Sequence, residues 1–433
     1  MNFLILHNMG PASGWISGVA DLELALPRYS KDHAYIVHNA YMPLPNFVTE
    51  INFDAIILNS SFINILHTTA GYERLQKEYN FIKDSSAYKI ALPQDDYWYS
   101  ENRDQWFVDW NINEVQPVCS KEYWDILYPK CLNAKIKINQ GYTGYITPML
   151  RERARSPLPR NRRTFDVVYR AKGTPGHPNR IGILKGKIGE RFVDAFSGFN
   201  LKLDISTDPQ GNLPGDKWLD FVENSKCILG SNSGSSLLLR NREMAERIKK
   251  FTYYNPKASF LEIEEACFPG EDGKYLFTAI SPRNIEAGLL KTVQLLVAGP
   301  YSDILLPWEH YIPLDEHCMN QKEILQIVKR IDLQEEIAER CKERLLNCQD
   351  IQIESFVNKI NESVACGLNL NHKSSPLDEF WSRKNEYQDF LDKNQQTIEK
   401  AIESQRLINE YKRKIRDTLP KTFLQLIRKI KPR

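Results

Sequence analysis

The feature that most constrains this chain is a series of short apolar runs, each the length of one strand. They are NFLIL (2–6), AYIVHN (34–39), FDAIILN (53–59), YKIALP (88–93) and VQPVCS (115–120). They are rich in Ile, Leu and Val without polar alternation, the pattern of strands buried on both faces of a parallel sheet. Between them lie segments of helical length and composition, such as AGYERLQKEYNFIKD (70–84). Strand and helix alternating in this way predict a doubly wound α/β domain.

The alternation then starts again. LRERARSPLPRNRRT (150–164) is basic, proline-bearing and poor in large apolar groups. It reads as an exposed connector whose arginines are also open to phosphate. Beyond it FDVVYR (165–170), LKLDIS (201–206), KCILGS (226–231) and TVQLLVAG (292–299) read as strands. The segments 179–196, 217–225, 282–291, 321–331 and 333–347 read as helices. With 433 residues to place, two domains plus an appendage are expected. The divisions fall at 1–150, a connector at 151–164, 165–370, and a helical, basic extension at 371–433. The expected fold class is α/β, two Rossmann-like doubly wound domains facing across a cleft.

From Ser375 the chain turns polar, with apolar residues at three-four spacing (Leu377, Phe380, Trp381, Tyr387, Leu391, Ile398, Ile402). This predicts a long amphipathic helix or coiled-coil-like arm, with oligomerisation through 375–410 open. The last segment, LPKTFLQLIRKIKPR (419–433), mixes apolar residues with five basic ones and no acid. Residues 411–433 therefore suit an anionic membrane surface, or equally docking on the protein itself or on a second subunit.

Composition excludes several classes. A net charge of +2 gives no nucleic-acid-sized positive field, so no nucleic-acid partner is expected. The eight cysteines are scattered with no C-x-x-C pair, which argues for buried thiols in a reducing compartment and against a zinc site. MNFLILHNMG lacks a basic n-region, and no run is long enough to span a bilayer. A cytoplasmic protein, peripheral at most on the inner face of a membrane, is the expectation.

The most informative stretch for chemistry is ISPRNIEA (280–287). Ser281 suits an N-cap and Pro282 the first helical position, where its missing N–H costs nothing. The unpaired N–H groups and the positive end of the helix dipole make an anion site. Arg283 adds a planar fork suited to phosphate oxygens. Glu286, one turn in, is placed to accept hydrogen bonds from two ribose hydroxyls; ordinary helix capping reads equally well.

Three loops are further candidates. GSNSGSSL (230–237) follows a strand with small residues, among them Ser233 and Gly234, that permit close backbone approach to a nucleobase or phosphate. It is no P-loop, and a plain turn is the alternative. HNMGPASGWISG (7–18) carries glycines at the wrong spacing for dinucleotide binding. His7, at its start, is a candidate base, although a lone His is more often structural. PQDDYW (93–98) offers Asp95 as a general base beside Asp96, Tyr97 and Trp98, whose rings can stack on a sugar; a helix-capping turn is the alternative. No D-x-D occurs anywhere in the chain, so charge neutralisation by helix dipole and Arg/Lys, without metal or cofactor, is expected.

The stretch 280–317, ISPRNIEAGLLKTVQLLVAGPYSDILLPWEHYIPLDEH, resembles the donor-side signature of GT-B glycosyltransferases. The likeness is to the group 1-like enzymes of bacterial surface-polysaccharide biosynthesis, where S-P-R-x-x-E-A leads into a helix, a strand and then P-x-x-H-Y-I-P-L. KWLDFVENSKCILGSNSGSS (217–236) resembles the W-L-x-F stretch and small-residue loop of that group, and FDVVYRAKG (165–173) its C-terminal domain's first strand. The likeness covers roughly residues 88–365. It implies a nucleotide-sugar donor in the C-terminal domain and a glycan or lipid-linked acceptor on the N-terminal one. Ser281, Arg283, Arg170 and Lys172 would face the diphosphate, and Glu286 the ribose. Many retaining members carry a second glutamate eight positions before the ribose-binding one; here that place is Thr278.

Overall fold

A computed structural model of the chain describes residues 1–10, 17–171, 179–208, 213, 215–369 and 372–418. Four of the first five apolar runs form strands over most of their length. They are β1 (Asn2–His7), β2 (Ala34–Asn39), β3 (Ala55–Leu58) and β4 (Tyr88–Ala91), followed by the short β5 (Glu114–Val115) and β6 (Lys137–Ile138). All pair in parallel, in the order β2-β1-β3-β4-β5-β6. β1 lies inside the sheet and all six of its residues are buried, as its unbroken apolar sequence requires.

VQPVCS does not extend as a strand. Pro117 has no N–H to offer a ladder. The next two amides, of Val118 and Cys119, donate instead to the buried Asp96 carboxylate at 2.9 and 3.0 Å.

The second series forms β7 (Phe165–Arg170), β8 (Leu203–Ser206), β9 (Ser225–Gly230), β12 (Val293–Val297) and β13 (Ile312–Leu314). They make a second parallel sheet in the order β13-β12-β9-β7-β8. β13, at its edge, contains Pro313, which only an edge strand tolerates. A separate antiparallel pair joins β10 (Ser233–Ser235) to β11 (Phe277–Ala279). Two Rossmann-like layers, as expected, thus carry the fold.

The chain then returns to the first sheet. Helix Ile353–Gly367 buries Phe356, Val357, Ile360 and Val364 against Phe3, Ile5 and Ile57. Its packing therefore goes with the first sheet, whereas the sequence pattern grouped it with the second; an apolar stripe says that a helix is buried, not against what. Helix Leu377–Thr418 starts on the opposite face of that sheet, with Phe380 and Tyr387 in the cluster of Leu4, Leu6 and Ile56. Phe380 meets Phe53 edge-on at 6.1 Å, and the Tyr387 hydroxyl lies 2.8 Å from His38 Nδ1. No helix among the described residues is long and apolar enough to cross a membrane. Residues 419–433 lie outside the described residues.

The connector is a correction to the solvated reading. Arg160 and Arg163 are buried, at 3% and 5% exposure. Arg163 donates to the carbonyls of Leu158, Ser225 and Leu290 and to Thr292 Oγ1, between 2.7 and 2.9 Å. Arg160 donates to the Lys291 and Gln334 carbonyls at 2.6 and 3.0 Å. A charge run reads as surface, but these two guanidinium forks close the open ends of β9 and β12.

Candidate functional site

The two sheets face each other across a cleft into which the C-terminal ends of strands from both converge, the usual ligand position in such sheets. At its centre is helix Pro282–Leu289. Its start is fixed by a chain of polar contacts. Asn284 Oδ1 accepts from the Ser281 amide at 3.0 Å and the Ser281 hydroxyl at 2.7 Å. Asn284 Nδ2 in turn donates to Gln294 Oε1 of β12 at 2.9 Å. The helix start is thereby locked to a buried strand.

Glu286 is half-buried at the cleft. Its Oε2 accepts the Trp218 indole N–H at 2.6 Å. Burial raises the carboxyl's pKa, and the Trp218 bond and the Arg283 charge offset part of that rise. Arg283 is exposed. Its guanidinium lies 4.9 Å over the Trp218 ring, and Nη1 donates to the Arg170 carbonyl at 2.7 Å. Trp218 thus touches both candidate donor residues and lines the two cavities on either side of this helix start.

One cavity is lined by Tyr169, Arg170, Lys185, Ser231, Ser233 and Arg283, among others. Sequence reasoning missed Lys185, because a lysine on an amphipathic helix carries no signal. Its pKa is lowered by burial and by Arg283, while Asp95 from the opposite domain pulls it back up. Asp95 is exposed, accepts the Tyr97 hydroxyl at 2.8 Å, and is within electrostatic reach of the cation. The second cavity joins Glu286 to Asp21 and Leu22 of the first domain and to Tyr145 and Thr147 of the stretch after β6. Each encloses about 50 Å³.

The remaining candidates sort differently. Arg170 lines the cavity, but its fork is engaged with Asp204 (2.6 Å) and stacks on Phe221 at 4.4 Å. Ser281 is at the helix start, and Ser233 lines the cavity wall. Gly234 is structural: its φ is +136°, it pairs with Thr278, and a Cβ there would lie 1.8 Å from the Phe277 carbonyl oxygen. Thr278 is buried in that pairing, so no carboxylate stands there. Asp96 is also structural, fully buried and bonded by Tyr128 and two amides. His7 is buried at the end of β1, and burial lowers its pKa to about 4. Its charge would be felt by His38. Lys172 lies outside the described residues.

No protein-family model matches this chain, and no curated protein matches it in sequence. Among solved structures it is similar to an alpha-glucosyltransferase in complex with UDP-glucose and DNA containing an abasic site. The TM-score is 0.50 at 11% identity, over 84% of this chain and 98% of that one. It also matches the DNA-modifying enzyme beta-glucosyltransferase (TM-score 0.47, 12% identity, 84% and 100% covered). A third match is Anabaena HepE in complex with UDP-glucose (0.44, 11%, 84% and 100%). At such identities the likeness speaks of the fold alone. The chain has a GT-B-like fold: two Rossmann-like domains facing across a cleft, with a helical C-terminal region.

Proposed function

We propose that this chain is a glycosyltransferase that moves a sugar from a nucleotide-sugar donor to a glycan or lipid-linked acceptor. The observation that carries the reading is one helix start that brings Arg283 and Glu286 to the cleft, both held by Trp218. A ribose offers two adjacent hydroxyls to a carboxylate, and a diphosphate needs cations and open N–H groups. Arg283 and Lys185 would neutralise the leaving diphosphate, where electrostatic stabilisation counts most. Arg170, tied to Asp204, would act by shaping the wall. Asp95, across the cleft, is the candidate base for an acceptor hydroxyl. Assembly of a surface polysaccharide at the inner face of a membrane is the setting suggested by the sequence resemblance.

Cavities of about 50 Å³ are well short of the roughly 300–1,000 Å³ of small-molecule sites. Donor binding therefore requires the cleft to open and close again on the ligand.

The test is a thermal-shift panel of UDP, GDP, CMP and TDP and their sugars. A ligand at a hundred times its Kd adds about 2.7 kcal/mol of stability. One nucleotide class should shift the wild type, fail to shift Glu286→Ala and Arg283→Ala, and still shift Arg170→Ala. Absence of any shift in the wild type sinks the donor site and favours a non-catalytic GT-B-like protein. Release of an interconverted free sugar nucleotide without acceptor would mark an epimerase instead.

A further inference from the structure

Asp95 and Trp98 are three residues apart and serve different places. Asp95 acts on Lys185 in the cleft, whereas Trp98 lines a cavity of about 590 Å³ that shares no described lining residue with the cleft. Its size falls within the roughly 300–1,000 Å³ range of small-molecule sites. We propose that this cavity binds a neutral glycan at a site separate from the donor cleft.

One wall is aromatic. His67 stacks on Tyr99 with centroids 4.8 Å apart and planes 24° apart, and Trp98 lies 6.4 Å from each of them. The facing wall is helix Arg242–Tyr254, which presents Glu246, Lys249 and Thr252 at three-residue intervals along one face. Glu246 and Lys249 pair at 3.3 Å, so the polar rim carries no net charge. The charge of Glu246 also reaches the Tyr99 hydroxyl and helps raise its pKa, after burial.

That combination selects a ligand class. A phosphate would be repelled by Glu246, since the lining's Lys249 is already paired with it and nearby Arg242 is engaged with the Leu66 carbonyl and the Tyr72 ring. A purely apolar ligand would strip water from the Glu246–Lys249 pair and serve none of its remaining hydrogen-bonding atoms. A sugar ring has an apolar C–H face for an aromatic plate and a rim of hydroxyls for carboxylate, ammonium and threonine. The site is also preorganised. Three main-chain hydrogen bonds, Leu239 N to Tyr97 O (2.9 Å), Tyr99 N to Leu239 O and Glu101 N to Arg240 O (2.6 and 2.9 Å), fasten its floor across the two domains. Rigid walls reduce the ordering penalty of binding. The glycan's purpose, anchoring part of an acceptor away from the point of transfer, rests on the glycosyltransferase reading; glycan binding itself does not.

The wild-type protein would be applied to an array of neutral oligosaccharides, and the strongest binder titrated by calorimetry. At least one should bind. Trp98→Ala should weaken it by about tenfold or more, a change of ~1.4 kcal/mol, and Trp98→Phe should restore most of the affinity. The surface pair Glu246→Ala with Lys249→Ala should weaken it too, while leaving the nucleotide thermal shift unchanged. No binding to any neutral oligosaccharide, or wild-type affinity in both Trp98→Ala and the double variant, overturns the proposal. Nucleotide binding that depends on Trp98 overturns it as well. Glycan binding that follows Trp98 in a protein that no nucleotide shifts would leave this site standing and remove the donor reading alone.

Discussion

Trp218 donates its indole N–H to Glu286 Oε2 at 2.6 Å. Only one carboxylate oxygen is engaged by this bond, and the same ring supports Arg283 from below. A single side chain therefore sets the position of both the anionic and the cationic donor candidates.

Trp218→Phe keeps the ring and removes the N–H. Hydrogen bonds to charged groups are worth about 1.5–3 kcal/mol, so nucleotide affinity should fall by roughly tenfold. The Trp218 bond holds the Glu286 pKa down against burial. Its loss lets that pKa rise further, so the pH below which nucleotide binding fades should move upward. Calorimetric titration across pH checks both; an unchanged pH midpoint argues against an ionised Glu286 in binding.

Three imidazoles, His7 and His38 buried and His67 partly buried, predict early acid lability. Burial lowers His7 to about 4 and His38 and His67 to about 3, against about 6.5 in the unfolded chain. Their folded pKa values are depressed, so the unfolded state binds more protons below pH 6.5. The stability they contribute is present above that pH and is lost as pH falls toward 4 and 3. Each contributes a slope of about 1.4 kcal/mol per pH unit. Urea unfolding at pH 7 and pH 5 should show the loss, and His38→Gln should flatten it by one proton.

Gly234→Ala should destabilise the protein by about 2 kcal/mol or more, because a positive φ and a backbone clash act together. The clash is with the Phe277 carbonyl, which the β10–β11 pairing fixes in place. Thermal unfolding measures it. A neutral substitution would return Gly234 to the candidate ligand loop.

Arg163→Ala leaves three carbonyls and a hydroxyl without their donor in a buried site. Unpaired buried acceptors cost about 1–3 kcal/mol each, so a loss of about 3 kcal/mol or more is expected. Arg163→Lys should recover little of it, since a point charge cannot reproduce the fork. Denaturant unfolding distinguishes this clamp from a solvated linker, for which both changes would be nearly silent.

Much of the fold was legible because strand length, apolar continuity and helix period are properties of short windows. β2 and β7 start and stop where their apolar runs do, β1 runs one residue further, to His7, and the S-P start of helix Pro282–Leu289 fell where capping chemistry put it. Asn284 was also within reach, since an amide three residues after an N-cap serine is a capping signal. Trp218 was noticed in its stretch, but nothing local said that its N–H would meet Glu286.

What the sequence by itself determined is the pair of parallel sheets, the helix that opens on Arg283, and the residue types available to the cleft. Only the tertiary structure decided which of those residues are at liberty to act. It engaged Arg170 with Asp204, buried Arg160 and Arg163 as clamps, made Gly234 a packing residue, and parted Asp95 from Trp98. It also returned helix Ile353–Gly367 to the first sheet. The reason is physical: backbone conformation follows from neighbours along the chain, whereas a charged or aromatic group takes its role from partners that only packing brings within a few ångströms.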